Sequence, residues 1–251
     1  TACKPRRRFK DHNGLDPKMN EEQVESRSLI DLARIFQEAR KLGIGLVLIG
    51  GYAVAAYTRG YRYTKDIDLV ADKPTIGRLK GLLSSLGYSI RDTEFGIAGS
   101  KRVNKDFIDL HISVGKIHDI STGNDYPVDL TLFKNAKRLK VKGHYSKTSL
   151  KAPVVDLDTL LLLKLMPVGR QKDAIDMLSL LLDKGDEINL MLLAERSEAT
   201  GLRSHLLNQA REYARRLREG ELDTIWFDVT ASRLPHAEKR QIAKFFAKLV
   251  G

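Results

Sequence analysis

Apolar and polar positions along the chain change their period several times, and each change marks a predicted element. From Glu21 to Leu42 the apolar residues Val24, Leu29, Ile30, Leu32, Ile35 and Phe36 recur at near-helical spacing, and Gly43 supplies a stop. Leu46, Val47, Leu48 and Ile49 then form a continuous apolar run, which predicts a buried strand ahead of Gly50-Gly51. The alanine-rich Tyr52–Tyr57 stretch reads as a helix, so the glycine pair falls at a strand-to-helix turn. A second apolar run, Ile67, Leu69, Val70 and Ala71, predicts another strand. An amphipathic helix from Thr75 to Leu86 follows, then strands over Tyr88–Asp92 and Lys101–Ser113 and a loop over Lys116–Asp125. From Leu157 onward the period is helical, with segments near Leu160 and over Asp173–Leu182, Ile188–Glu198, Arg203–Arg218 and His236–Leu249. Asp156 or Asp158 is the N-cap of the first, and Pro167-Val168-Gly169 interrupts the run. The pattern predicts a polar, basic and poorly ordered segment over 1–20, an α/β domain over 21–152 and a helical domain over 153–251, divided near Pro153. There is no internal repeat.

Candidate chemistry concentrates between Leu46 and Asp72. Glycine has no Cβ, so a Gly-Gly turn at a helix N-terminus lets backbone N–H groups approach an anion closely, and the helix end adds partial positive charge. Asp66 and Asp68 flank Ile67. In a strand, side chains at i and i+2 share a face, so these carboxylates point one way while Ile67 and Leu69 point into the core. Two like charges held side by side repel unless something positive joins them. A hard divalent cation with oxygen ligands suits the pair, Mg²⁺ above all, with Mn²⁺ as its alternate. A resemblance to a known family implies a third carboxylate on a later strand. In Phe107–Ile112, alternation puts Phe107, Asp109 and His111 on one face and Ile108, Leu110 and Ile112 on the other, which makes Asp109 the preferred candidate. Asp129, in Pro127–Leu132, is its rival, but Pro127 argues against a central strand there. His111 could approach the site on the Asp109 face, although a lone strand histidine is more often structural. Lys-Asp-x-x-Asp over 172–176 fits a solvated, charge-paired helix face, against which stands a direct role at the site for Lys172 or Asp173.

In this order the residues resemble the nucleotidyltransferase superfamily, which includes DNA polymerase β, the minimal and antibiotic nucleotidyltransferases and the toxin nucleotidyltransferases of abortive-infection systems. Gly50, Gly51, Asp66 and Asp68 match its pattern, and the run Arg62-x-Thr64-x-Asp66-x-Asp68 is common in the toxin-like branch. The resemblance implies an α/β (α+β) fold class: a nucleotidyltransferase-type mixed sheet flanked by helices, with a C-terminal helical region. It implies Mg²⁺-dependent transfer of NMP from a nucleoside triphosphate to an acceptor hydroxyl, with release of pyrophosphate and a two-metal mechanism. By the same resemblance Asp66, Asp68 and Asp109 are the metal ligands and catalytic residues. Gly50, Gly51, Arg62 and Thr64 bind the nucleotide, Lys164 and Lys172 face the triphosphate, and Asp173 supports the site by orienting a lysine. The toxin-like branch modifies transfer RNA or protein; the antibiotic branch acts on small-molecule hydroxyls.

Composition narrows the partners. The chain has 251 residues and a formal net charge of +11, with basic clusters at Lys4–Lys10, Lys134–Lys151 and Arg211–Arg218. Such an excess favours polyanions, because neutralised phosphates release counterions. This tilts the expected acceptor toward RNA, transfer RNA in particular, ahead of protein. No segment is apolar for long enough to span a bilayer, so no membrane partner is expected. Cys3, the sole cysteine, excludes an intrachain disulfide, and with no signal-like h-region near the N-terminus it points to a cytoplasmic protein. Two other classes remain: a catalytically silent module on the same scaffold, for instance in a toxin-antitoxin pair, and a nucleic-acid binder working through basic termini alone.

Overall fold

The structure is a computed structural model and describes residues 17–251. The Lys4–Lys10 cluster, Cys3 and most of the basic N-terminal segment lie outside the described residues. Helix α1 (Pro17–Lys41) buries Val24, Leu29, Leu32 and Ile35 and ends at Gly43, whose φ of +63° lets the Ile44 N–H turn back to the Ala39 carbonyl. There follow β1 (Leu46–Leu48), α2 (Gly50–Tyr57), β2 (Ile67–Ala71), α3 (Ile76–Ser85), β3 (Ser89–Thr93), β4 (Gly96–Val103) and β5 (Asp106–Val114). The hairpin β6 (Lys116–His118) and β7 (Asp125–Pro127) leads to the short α4 (Leu130–Asn135), then to β8 (Lys137–Lys142) and β9 (Ser149–Val154). Helices α5 (Leu157–Leu165), α6 (Gln171–Lys184), α7 (Leu190–Ala199), α8 (Arg203–Arg218), α9 (Glu221–Thr230) and α10 (His236–Val250) complete the chain.

The fold is the expected mixed α/β class, with helices flanking a sheet whose main path runs β3-β4-β5-β2-β1-β9-β8. β2 is parallel to β5 and antiparallel to β1, and β1 is parallel to β9. The central strands are covered on both faces. Leu48, Ile67, Leu69, Val70, Ile108 and Leu110 are fully buried, each worth roughly 1.5–3 kcal/mol of transfer free energy. The later helices close onto the sheet side through the loop after α2. Trp226 of α9 packs on Tyr61 with ring centroids 4.8 Å apart, and the Tyr61 hydroxyl donates to Asp183 of α6 at 2.7 Å. Among the described residues no helix is long and apolar enough to cross a membrane.

Several elements differ from the sequence expectation. The predicted Lys101–Ser113 strand is two strands, because Asn104 adopts φ +57° and turns β4 back onto β5. Lys116–Asp125 holds strand β6 and the start of β7 instead of loop alone, with Pro127 closing β7. Pro127–Leu132 passes from that strand end into α4. Helix α2 starts at Gly50, two residues early, and α9 and the β8–β9 ribbon had no counterpart in the prediction.

Candidate active site

The site begins where β1 meets α2. The Ile49 N–H donates to the Asp68 carbonyl at 3.0 Å, tying the end of β1 to the acid strand. Gly50 has φ +69°, and a Cβ there would lie 2.7 Å from both Cβ and Cγ of Asp68. Only glycine lets the Asp68 carboxylate lie over the start of α2. A Cβ on Gly51 would lie 2.9 Å from Arg62 Nη2 and from Thr64 Oγ1, so the second glycine admits the Arg62–Thr64 loop. No side chain caps α2, which leaves the first N–H groups of the helix open toward an anion.

The acids lie on neighbouring strands. β2 and β5 are in register with Ile67 opposite Leu110 and Asp68 opposite His111, and Asp66 and Asp109 each stand one residue before the first of these pairs. Burial, then Asp68, with Asp109 adding, pushes the Asp66 carboxyl above its ordinary value, while Lys172 and Lys65 oppose the shift. His111 Nδ1 lies 3.5 Å from Asp68 Oδ1, and its imidazole is raised mainly by that contact, against burial. His111 therefore lies on the acid face, beside Asp68. Asp109 and His111 also border a cleft of about 320 Å³ with Ser100 and Arg91. Asp129 is placed elsewhere: it caps α4, accepting from the Thr131 and Leu132 N–H groups at 2.9 and 3.0 Å. Among the described residues no three Asp, Glu, His or Cys side chains are gathered closely enough to hold an ion as they stand. The chemistry of the donors nevertheless fits a hard divalent cation, since Asp68 and Asp109 disfavour the charge on Asp66 where a positive charge would relieve it.

A second layer braces this face. Asp176 of α6 takes Arg62 in a two-pronged grip, Nε to Oδ1 and Nη2 to Oδ2 both at 2.7 Å, and also holds Lys164 of α5 at 2.8 Å. Lys164 reaches Asp173 at 3.0 Å, and Arg170 covers Asp173 from outside at 2.9 Å. Burial works against ionised Asp176, but Lys164 and Arg62 outweigh it and hold its carboxyl below the usual range. Arg62 and Lys164 are thus fixed by acids instead of lying open to a triphosphate, while Asp173 does orient a lysine, namely Lys164. Lys172 is exposed and lies near enough to Asp66 to favour its charged form. Asp176 is the residue that sequence reasoning left without a role. Its only signal was the Asp173-x-x-Asp176 spacing, which reads equally as a solvated face. Glu25 of α1 was missed altogether. Fully buried, it accepts the N–H groups of His144, Tyr145 and Ser146 at 2.7–2.8 Å and clamps the β8–β9 loop, while His144 Nδ1 lies 2.7 Å from the Gly60 carbonyl.

A glycine turn under an acid strand in a mixed sheet is the arrangement of the nucleotidyltransferase class, and known proteins can be set beside it. Residues 33–251 match the family described as nucleotidyl transferase AbiEii toxin, type IV TA system, and the chain belongs to that family. No curated protein sequence matches the chain. Among solved structures it is similar to JHP933 from Helicobacter pylori, at 13% identity and a TM-score of 0.50, covering 94% of this chain and 93% of that one. A second H. pylori chain, described as a nucleotidyltransferase, is 11% identical with a TM-score of 0.51 and covers 94% and 96%. The antibiotic-resistance factor ANT(2'')-Ia is 13% identical over 78% of this chain and 99% of its own, with a TM-score of 0.45. The two H. pylori structures share the fold.

Proposed function

We propose that this chain transfers a nucleotidyl group from a nucleoside triphosphate to an acceptor hydroxyl of RNA, releasing pyrophosphate. The interlock of Gly50 with Asp68 carries the reading, because it sets an acid directly over an uncapped helix start. The triphosphate would lie against the first N–H groups of α2. Lys172 would neutralise the departing pyrophosphate, and Arg62, held by Asp176, would keep the Gly51 turn in place. The acceptor oxygen attacks the α-phosphorus in line as the α–β phosphoanhydride bond breaks, and its proton passes to the acid face. Asp66, Asp68 and Asp109 would hold divalent cations, Mg²⁺ or Mn²⁺, which when bound supply Lewis-acid stabilisation of the entering and departing oxygens. Membership of the AbiEii family supports a toxin role, and the net charge of +11 favours RNA over protein as the acceptor.

The test is to incubate the protein with labelled nucleoside triphosphates, Mg²⁺ or Mn²⁺, and separate RNA and protein fractions. Label is expected in RNA and absent with the D66N/D68N double variant. Full labelling by that variant sinks the assignment, and label in the protein fraction replaces the acceptor. The competing reading, a scaffold that binds without transferring, draws on the occupied state of Arg62 and Lys164. It predicts no label in either fraction.

A further inference from the structure

The β8–β9 ribbon forms the β8 edge of the sheet and carries a one-sided row of cations. Between Lys134 and Lys151 the chain has Lys134, Lys137, Arg138, Lys140, Lys142, Lys147 and Lys151 and no acid. Alternation sorts the ribbon into two faces: Val141, Ala152 and Val154 are fully buried, whereas Arg138, Lys140, Lys142 and Lys151 are exposed. Lys140 stands directly opposite Lys151 in the antiparallel register. Like charges in that position repel across the strands, and neither is drawn into an ion pair among the described residues. The arrangement is costly for the protein alone and favourable once an anion lies across it.

The geometry further restricts the anion. Arg138, Lys140 and Lys142 follow one another at two-residue steps, about 7 Å apart along a strand. That is a pitch suited to a chain of repeating phosphates more than to one compact ligand. At the Arg138 end the row opens into a cleft of about 730 Å³ between the ribbon and the C-terminal end of α1, where Arg40 and Lys151 face Phe36, Ile44 and Pro153. Lys41 lines it as well but is paired with Glu38 at 2.7 Å. A cationic rim over an apolar floor with an aromatic edge suits an unpaired base, as stacking sites for single strands do. The cleft includes Gly45 and Leu46, at the opposite end of β1 from Gly50.

We propose that the exposed face of the β8–β9 ribbon, with the cleft beneath α1, is a binding track for single-stranded RNA, separate from the acid face. The inference extends the RNA-acceptor reading to a second surface, and its test omits nucleotide and divalent cation so that the two readings fail independently. Fluorescence anisotropy with a labelled single-stranded RNA oligomer, across a salt series, compares the wild-type chain with R138E/K140E/K151E and the charge-neutral R138Q/K140Q/K151Q. A matched reversal on α10, R240E/K244E/K248E, controls for net charge. Each phosphate contact on a single strand contributes about 0.7 to the slope of log K against log salt, so losing three flattens it by about 2 and weakens binding about tenfold or more at low salt. The neutral variant relieves the Lys140–Lys151 repulsion and should melt no lower than wild type, which keeps the test valid if the reversed one fails to fold. Unchanged slope and affinity in the neutral variant, equal weakening by the α10 control, or binding confined to duplex RNA each overturns the proposal. Equal binding of single-stranded DNA overturns its restriction to RNA.

Discussion

Replacing Asp176 with Asn tests the brace behind the acid face most directly. The wild-type carboxylate neutralises Arg62 through two bonds of 2.7 Å and Lys164 at 2.8 Å, with all three side chains at most 15% exposed. Asn fills the same volume but leaves the two cations sharing Asp173, with one positive charge uncompensated. Breaking a buried pair from one side costs about 3–5 kcal/mol. In a chain of this size each kcal/mol lowers the midpoint by about 2–4 °C, so the expected fall is about 6–20 °C. Thermal unfolding followed by circular dichroism reads it, and added salt should recover little, since buried charges are poorly screened. The pH dependence has a definite sign. Asp176 is held below its unfolded value of about 3.9, so its contribution is complete above that pH and is lost as pH falls through the lower folded value. The variant should therefore show a shallower acid limb below about pH 4. A midpoint shift under about 3 °C, or an acid limb identical to wild type, refutes the reasoning.

Other perturbations separate stability from chemistry. D66N should abolish labelling of acceptor yet leave the melting midpoint level or higher, because Asp68 and Asp109 disfavour the Asp66 charge; a clear drop in midpoint would contradict this. G50A must place a Cβ against Asp68 at φ +69°. The left-handed backbone alone costs about 1–2 kcal/mol and the clash about 1–3 more, so urea unfolding should show a loss of about 2 kcal/mol or greater, and an unchanged midpoint would remove the interlock argument. E25Q keeps one acceptor but turns an amide N–H toward the donors of 144–146. It should cost about 1–3 kcal/mol and speed hydrogen exchange at those amides, and unaltered exchange would show that the clamp is unimportant.

The elements legible in the sequence were those whose burial is one-sided or complete. Leu46–Ile49 and Ile67–Ala71 announce themselves because both faces of a central strand must be apolar, and α1, α3, α8 and α10 because one stripe must be. The acid face was legible for the same reason: Ile108, Leu110 and Ile112 fix which way Asp109 points. Lys137–Lys142 failed the same test. Its buried residues are few and its exposed ones all basic, so it looked like a solvated charge cluster and not a strand. The second layer was hidden for a different reason. Whether Asp176 faces water or Arg62 depends on a contact between residues 114 apart, and local spacing is identical in the two cases. The same holds for Glu25, 119 residues from the nearest amide it holds.

The Arg62–Asp176 contact also imposes an order in time. A chain emerging from the ribosome presents its glycine turn and acids first, and domains fold as they appear. Here the loop carrying Arg62 toward those acids gains its contacts with Asp176 and Asp183 of α6 and Trp226 of α9 only once those helices have been synthesised. A polypeptide interrupted before α6 would hold every carboxylate of the acid face but lack the Asp176 brace on the Arg62 beside it. The Arg62 side of the site is therefore the last part of it to assemble as the chain is made.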